Sequence, residues 1–215
     1  VAEALGDAGE LGGDWGGGVT HLMGMQAPKG LAAIHLNFPI AFPDPDTMDS
    51  LTELELDALT DMGAHAETGM GYSSVQSTKP QTLGYGLTDS PVGQLAWVVE
   101  KFHAWTDHRG HPEDVLSRTQ MLDDVSTYWF ASTAASSARL YWESFKTLQE
   151  GGPVEVPAGI TVFPKEILRT SRRWAEKVYA NLEWFEVVDA GGHFAALEQP
   201  VVFTDQVRGA FRSAR

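Results

Sequence analysis

A chain of 215 residues with 43% hydrophobic content can bury one sizeable core, with room for an inserted subdomain. Its formal net charge of -14 works against nucleic acid and anionic membrane surfaces as partners, since both would repel it. The absence of cysteine removes disulfides and thiolate metal sites, no apolar run is long enough to span a bilayer, and a cytoplasmic location is the expectation.

The first distinctive stretch is Leu11-Gly12-Gly13-Asp14-Trp15-Gly16-Gly17-Gly18. Gly12 and Gly16 stand two residues either side of Asp14, a pattern that suits a sharp strand-to-helix turn with the central side chain at its tip. A carboxylate there attacks an electrophilic carbon without first losing a proton, and the ester it forms must later be hydrolysed by water. The same residues also read as a glycine-rich loop with an aspartate helix cap. The thirteen residues before Asp14 hold at most one strand at about 3.3 Å per residue, so the chain reads as the second half of a larger fold or as a severely shortened relative.

Gly17 to Gln26 predicts a helix whose N-terminus sets a partial positive charge beside Asp14. Pro28-Lys29-Gly30 ends it. Leu31 to Phe38 is an apolar run of strand length, as for a strand buried on both faces, and Asn37 closes it beside the expected site. From residue 39 to 150 the strand pattern is lost, which predicts an inserted helical lid between core segments 1–38 and 151–215. Within it, Leu51 to Gly63 has near-helical apolar spacing with Ser50 as cap. Gln94 to Trp105 sets Leu95, Val98, Val99 and Phe102 on one face. Leu122 to Phe145 is a further helical stretch, and its small residues from Ala131 to Ala138 mark a break or a close approach. Strand patterns return at Ala158 to Phe163 and Leu182 to Val188, with a helix from Arg172 to Tyr179 between them and a last helix from Pro200 to Arg212.

Asp14, then Glu166 just after one strand, then His193 in a glycine-rich turn after the next follow the nucleophile, acid and histidine order of α/β-hydrolases. With Tyr72 to Pro80, Leu87 to Gly93, Phe163-Pro164-Lys165-Glu166-Ile167 and Gly191-Gly192-His193-Phe194-Ala195-Ala196, the elbow closely resembles epoxide hydrolases of the microsomal type. The resemblance runs from Gly12 onward over nearly the whole chain. It implies an α/β-hydrolase fold, present as the C-terminal half of the sheet with the helical lid inserted, and conversion of an apolar epoxide to a vicinal diol.

By that resemblance Asp14 opens the epoxide, His193 braced by Glu166 activates the hydrolytic water, and Tyr72 and Tyr141 hold the epoxide oxygen and supply the proton. Tyr85 and Tyr128 are the alternatives for the two phenols. Trp15 supplies a backbone N–H at the oxyanion hole. No cofactor and no metal are expected: His35, His65, His103, His108 and His111 lack partner spacing, and His108-Arg109-Gly110-His111 reads as a solvated loop. The expected partners are a small apolar epoxide and water. The family's His-Gly-x-Pro loop, which carries a second oxyanion donor, has no counterpart here, so a homodimer or association with a missing N-terminal portion is also expected. Two rivals remain open: a haloalkane dehalogenase, which would use halide-binding N–H groups instead of paired phenols, and a non-catalytic remnant that keeps the pocket.

Overall fold

Four short strands run parallel in the order β1-β2-β3-β4: β1 (Ala8–Gly12), β2 (Leu31–Leu36), β3 (Ala158–Val162) and β4 (Leu182–Val187). They belong to a computed structural model that describes residues 8–149 and 152–212. Parallel neighbours need crossover connections. Helix α1 (Asp14–Gln26) links β1 to β2, and α8 (Arg172–Ala175) lies between β3 and β4. Every residue of β3 is buried, and Ile34 and Leu36 of β2 pack with Ile160 and Val162 of β3, Val154, Ala175 and Tyr179 in one apolar cluster. These side chains supply the main favourable energy of the sheet unit, at about 25 cal/mol per Å² of apolar surface removed from water.

The buried Tyr179 hydroxyl ties three segments together, accepting the Ile40 N–H at 3.1 Å and bonding His21 Nδ1 at 3.1 Å. Helix α8 stops at Ala175, short of the Tyr179 end expected from sequence, because Tyr179 bridges to Val154 as an added strand pair.

The described residues divide into two compact units, one from 8–63 and 152–212, the other from 64–149. Residues 39–63, assigned to the lid by the loss of strand pattern, therefore go with the sheet. The reason is polar. Helix α2 (Glu53–Ala64) carries Glu55, wholly buried, on which the Arg173 guanidinium closes with two nitrogens. Ser171 Oγ donates to the same carboxylate at 2.5 Å. Hydrogen bonding from Arg173 is the chief influence, and against burial it holds the Glu55 carboxyl down at about 2. Thr52, not Ser50, caps the helix: Glu55 N–H donates to Thr52 Oγ1 at 3.4 Å and Thr52 N–H to Glu55 Oε2 at 2.8 Å, a capping box. The Ser50 carbonyl instead accepts Arg173 at 2.8 Å.

The second unit holds α3 (Gly71–Thr78), α4 (Pro80–Asp89), α5 (Pro91–Trp105), α6 (Arg118–Phe130) and α7 (Ala134–Gln149). Proline opens α4 and α5, where its missing N–H costs nothing. The long helical stretch expected from Leu122 to Phe145 breaks between Phe130 and Ala134, with Ser132 in the left-handed region at φ 54°. Its small residues also allow close approach: a Cβ on Gly84 of α4 would lie 2.7 Å from Ala135 Cβ of α7. After the sheet come α9 (Ala195–Glu198) and α10 (Pro200–Ala210). Among the described residues no helix is long and apolar enough to cross a membrane.

Candidate active site

The chain leaves β1 at Gly12 and enters α1 at Asp14, so the turn has almost no length. Asp14 pays for this with φ 48°, a left-handed conformation that costs a residue with a Cβ about 1–2 kcal/mol. The turn closes only because its glycines have no side chain. A Cβ on Gly12 would stand 2.1 Å from the Gly16 carbonyl oxygen, one on Gly13 2.6 Å from Asn37 Oδ1, and one on Gly17 2.5 Å from the Phe38 carbonyl oxygen. A Cβ on Gly16 would meet nothing within 4 Å. Gly12, Gly13 and Gly17 therefore close the elbow, and the small residue expected at position 16 is not required sterically.

Asp14, Glu166 and His193 meet at the ends of β1, β3 and β4. His193 Nε2 lies 2.8 Å from Asp14 Oδ2, and His193 Nδ1 lies 2.6 Å from Glu166 Oε1. Glu166 Oε1 also accepts the Ile167 N–H at 2.7 Å, while Oε2 is buried with no hydrogen-bond partner among the described residues. The two loops are stitched to each other, since Lys165 N–H donates to the Gly191 carbonyl at 3.1 Å. Gly191 has φ 111°, where a Cβ would be strained and would sit 2.8 Å from Phe163 Cδ1. The Phe38 ring stands edge-on to the His193 imidazole, with centroids 5.7 Å apart. The Trp15 N–H, the expected oxyanion donor, points at Asp14 Oδ1 at 2.6 Å.

These contacts set the charges. Burial alone would discharge His193, but the Glu166 charge and the hydrogen bonds that the ring donates to both carboxylates outweigh it and push the imidazole up to about 10. Desolvation likewise opposes the Asp14 carboxylate, yet hydrogen bonding and charge from His193 hold its carboxyl below the ordinary aspartate value. The resting site is thus an imidazolium between two carboxylates.

Tyr72 and Tyr141 belong to the helical unit and touch each other. Their rings meet edge to face with centroids 5.8 Å apart, Tyr72 also packs on Trp105 at 5.2 Å, and Tyr141 stacks on Phe145 at 6.1 Å. Lys101 Nζ lies 4.4 Å from the Tyr72 ring centroid. Tyr85 is 70% exposed and Tyr128 is 38% exposed, so the mutually packed pair is Tyr72 and Tyr141.

His35, His108 and His111 bond to partners outside the triad. His35 is buried, with Nε2 3.0 Å from Thr161 Oγ1, and burial pulls it down to about 4. His108 Nδ1 accepts the Gly110 N–H and His111 Nδ1 the Glu113 N–H. Among the described residues no group of three or more His, Cys, Asp or Glu is placed to hold a metal ion.

Sequence reasoning missed Glu198. This carboxylate, 8% exposed, accepts the Gly192 N–H at 3.0 Å through Oε2 and the Phe194 N–H at 3.0 Å through Oε1, the amides on either side of His193. The available signal was a single carboxylate five residues after the histidine in an otherwise apolar run.

No protein-family model matches the chain. It is 49% identical over 204 residues to a protein of Stigmatella aurantiaca (strain DW4/3-1) named "Putative epoxide hydrolase", covering 95% of this chain and 46% of that one. It is 32% identical to epoxide hydrolase 1 of Sus scrofa, covering 92% of this chain and 49% of the relative. Among solved structures, the epoxide hydrolase of Aspergillus niger superposes with a TM-score of 0.83 at 30% identity, covering 95% of this chain and 52% of that one. The sheet and inserted helices are accordingly the C-terminal part of an α/β-hydrolase fold. The chain spans about half the length of the curated relatives it matches.

Proposed function

Because the chain belongs to the epoxide hydrolases of the microsomal type, over the C-terminal half of its relatives, we propose that it carries the covalent chemistry of epoxide hydrolysis, turning an apolar epoxide and water into a vicinal diol through an ester on Asp14. The observation that supports this reading is the continuous hydrogen-bonded line from Asp14 through His193 to Glu166 on an elbow with a carboxylate at its tip. Asp14 Oδ2 attacks a ring carbon, the carbon–oxygen bond breaks, and the electron pair leaves on the epoxide oxygen. That oxygen takes a proton from Tyr72 or Tyr141, because an alkoxide leaves poorly unless it is protonated. The Trp15 N–H holds Oδ1, which becomes the ester carbonyl oxygen and then the oxyanion.

Ester formation removes the Asp14 charge, leaving Glu166 alone to oppose the burial of the imidazolium. His193 can then give up its proton, which passes through solvent to the tyrosinate and restores the phenol, and take one from the hydrolytic water. Hydroxide adds to the ester carbon, the tetrahedral intermediate collapses, and His193 returns a proton to the leaving diol oxygen. The proton left on the Asp14 carboxyl passes to His193 Nε2, 2.8 Å from Oδ2, and the imidazolium between two carboxylates is restored. In this reading the second oxyanion donor comes from an N-terminal portion, with a homodimer as the other association to test. A cytoplasmic setting is part of the same reading and rests on the cysteine-free composition.

Incubation with an aryl epoxide followed by peptide mass spectrometry tests the proposal. The expected mass gain falls on Asp14, persists in His193→Gln, is absent in Asp14→Ala, and forms about 10²-fold more slowly in Tyr72→Phe and Tyr141→Phe. Chloride release from chloroalkanes with no epoxide adduct would turn the assignment to a dehalogenase. No adduct from either substrate on the intact chain would favour a non-catalytic module.

A further inference from the structure

A histidine that must reach two carboxylates at once needs its backbone fixed, and the residues that fix it lie outside the triad. The chain around His193 is an irregular turn between β4 and the four-residue helix α9, with Gly191 in a left-handed conformation. Such a turn is held to the sheet by an isolated parallel bridge between Lys165 and Gly192. One tie there runs from Lys165 N–H to the Gly191 carbonyl at 3.1 Å. Two further ties come from the Glu198 carboxylate, with one oxygen on the amide before His193 and the other on the amide after it, each at 3.0 Å.

An ordinary helix cap accounts for only part of this. Phe194 is the residue at the start of α9, so a side chain reaching back to its N–H satisfies a donor that the helix leaves open. Gly192 lies two residues further out and is no part of the helix. The carboxylate straddles His193, and hydrogen bonds to an ionised acceptor are about twice as strong as neutral ones.

We propose that Glu198 is a positioning residue for the reaction: by clamping the Gly192 and Phe194 amides it holds the His193 imidazole on the line between Asp14 and Glu166. The proposal rests on the reading of His193 as the base that hydrolyses the Asp14 ester. Misplacing a reacting group by about 1 Å costs roughly 10²-fold in rate. Loss of the clamp should therefore fall on ester hydrolysis, which uses His193, and much less on ring opening, which does not use it as a base.

The substitution of choice is Glu198→Gln, which keeps the volume but turns an amide NH₂ toward one of the two backbone donors. In the intact chain, proton NMR should show a low-field imidazole N–H from the 2.6 Å His193 to Glu166 hydrogen bond, identified by its loss in His193→Gln. Glu198→Gln should broaden or abolish that signal while the circular dichroism spectrum is kept. With an epoxide, the variant should accumulate the Asp14 adduct, with hydrolysis slowed roughly 10- to 100-fold and adduct formation within a few-fold of the unaltered chain. The low-field signal unchanged in a folded Glu198→Gln would overturn the proposal, whether or not an adduct ever forms. So would rapid hydrogen exchange of the Gly192 and Phe194 amides in the unaltered chain, a measurement that needs no variant. Failure of the epoxide reading would appear separately, as no Asp14 adduct in a chain whose low-field signal still responds to Glu198→Gln.

Discussion

Replacing Asp14 by Asn should lower the pH at which His193 loses its proton. In the intact site, burial opposes the charge, yet Glu166 and Asp14 together bring the imidazole from 6.5 to about 10. The two carboxylates together therefore favour the charged form over burial. One carboxylate within hydrogen-bonding distance typically moves a pKa by about 1–3 units, so Asp14→Asn should bring the midpoint down by that amount and leave Glu166 alone against burial. The assay is an NMR titration of ¹⁵N-labelled histidine, with His193→Gln identifying the resonance. Because the folded value lies above the unfolded one, the stabilisation from this group is complete below about pH 6.5 and is lost as the pH rises through about 10. The stability difference between the chain and Asp14→Asn should shrink over that window. An unchanged midpoint in a folded Asp14→Asn would mean that Glu166 alone sets the charge, and the idea that ester formation turns His193 into a base would fall.

Gly12→Ala should destabilise the sheet unit by about 1–3 kcal/mol in urea unfolding, since its methyl would meet the Gly16 carbonyl oxygen at 2.1 Å, whereas Gly16→Ala should be neutral or stabilising by up to about 1 kcal/mol in a helix; equal losses in the two would contradict the account of the elbow. Glu55→Gln should cost about 1–3 kcal/mol near pH 7, a figure reduced because the Arg173 side chain is more than a third exposed and its charge is screened. The folded Glu55 value lies at about 2, below its ordinary 4.5, so this stabilisation is present above about pH 4.5 and lost as the pH falls toward 2. Denaturant unfolding at several pH values would show the difference between the two proteins closing over that range, and a difference independent of pH would refute the ion-pair explanation.

What could be read from sequence was local or ordered. The run from Leu31 to Phe38, of which Leu31–Leu36 forms β2, announces a buried strand because its neighbours on both sides must be apolar, and Asp14, Glu166 and His193 follow one another at strand ends. Their mutual reach required that the strands be parallel members of one sheet, with β2 alone between β1 and β3. Glu55 was not legible: at the start of an amphipathic helix a carboxylate reads as solvated, and Arg173 and Ser171, more than a hundred residues away, make its burial tolerable. The same polar tie moved the boundary of the helical unit from residue 39 to residue 64. Glu198 was hidden for a related reason, because the hydrogen bonds by which it flanks His193 go to backbone amides, which every sequence has and none displays.

Parallel strands release their side chains at a common rim, and here β1, β3 and β4 deliver the three charged groups to it, whereas the helical insertion departs from the connection between β2 and β3. In the proposed reaction the nucleophile, its base and the bracing acid thus stand on the sheet, while the proton-donating phenols Tyr72 and Tyr141 stand on the inserted helices. Grafting the 64–149 segment of a relative into this chain would exchange the phenols together with their surroundings and leave Asp14, Glu166 and His193 untouched, so that opening of the ring and hydrolysis of the ester could be altered one at a time.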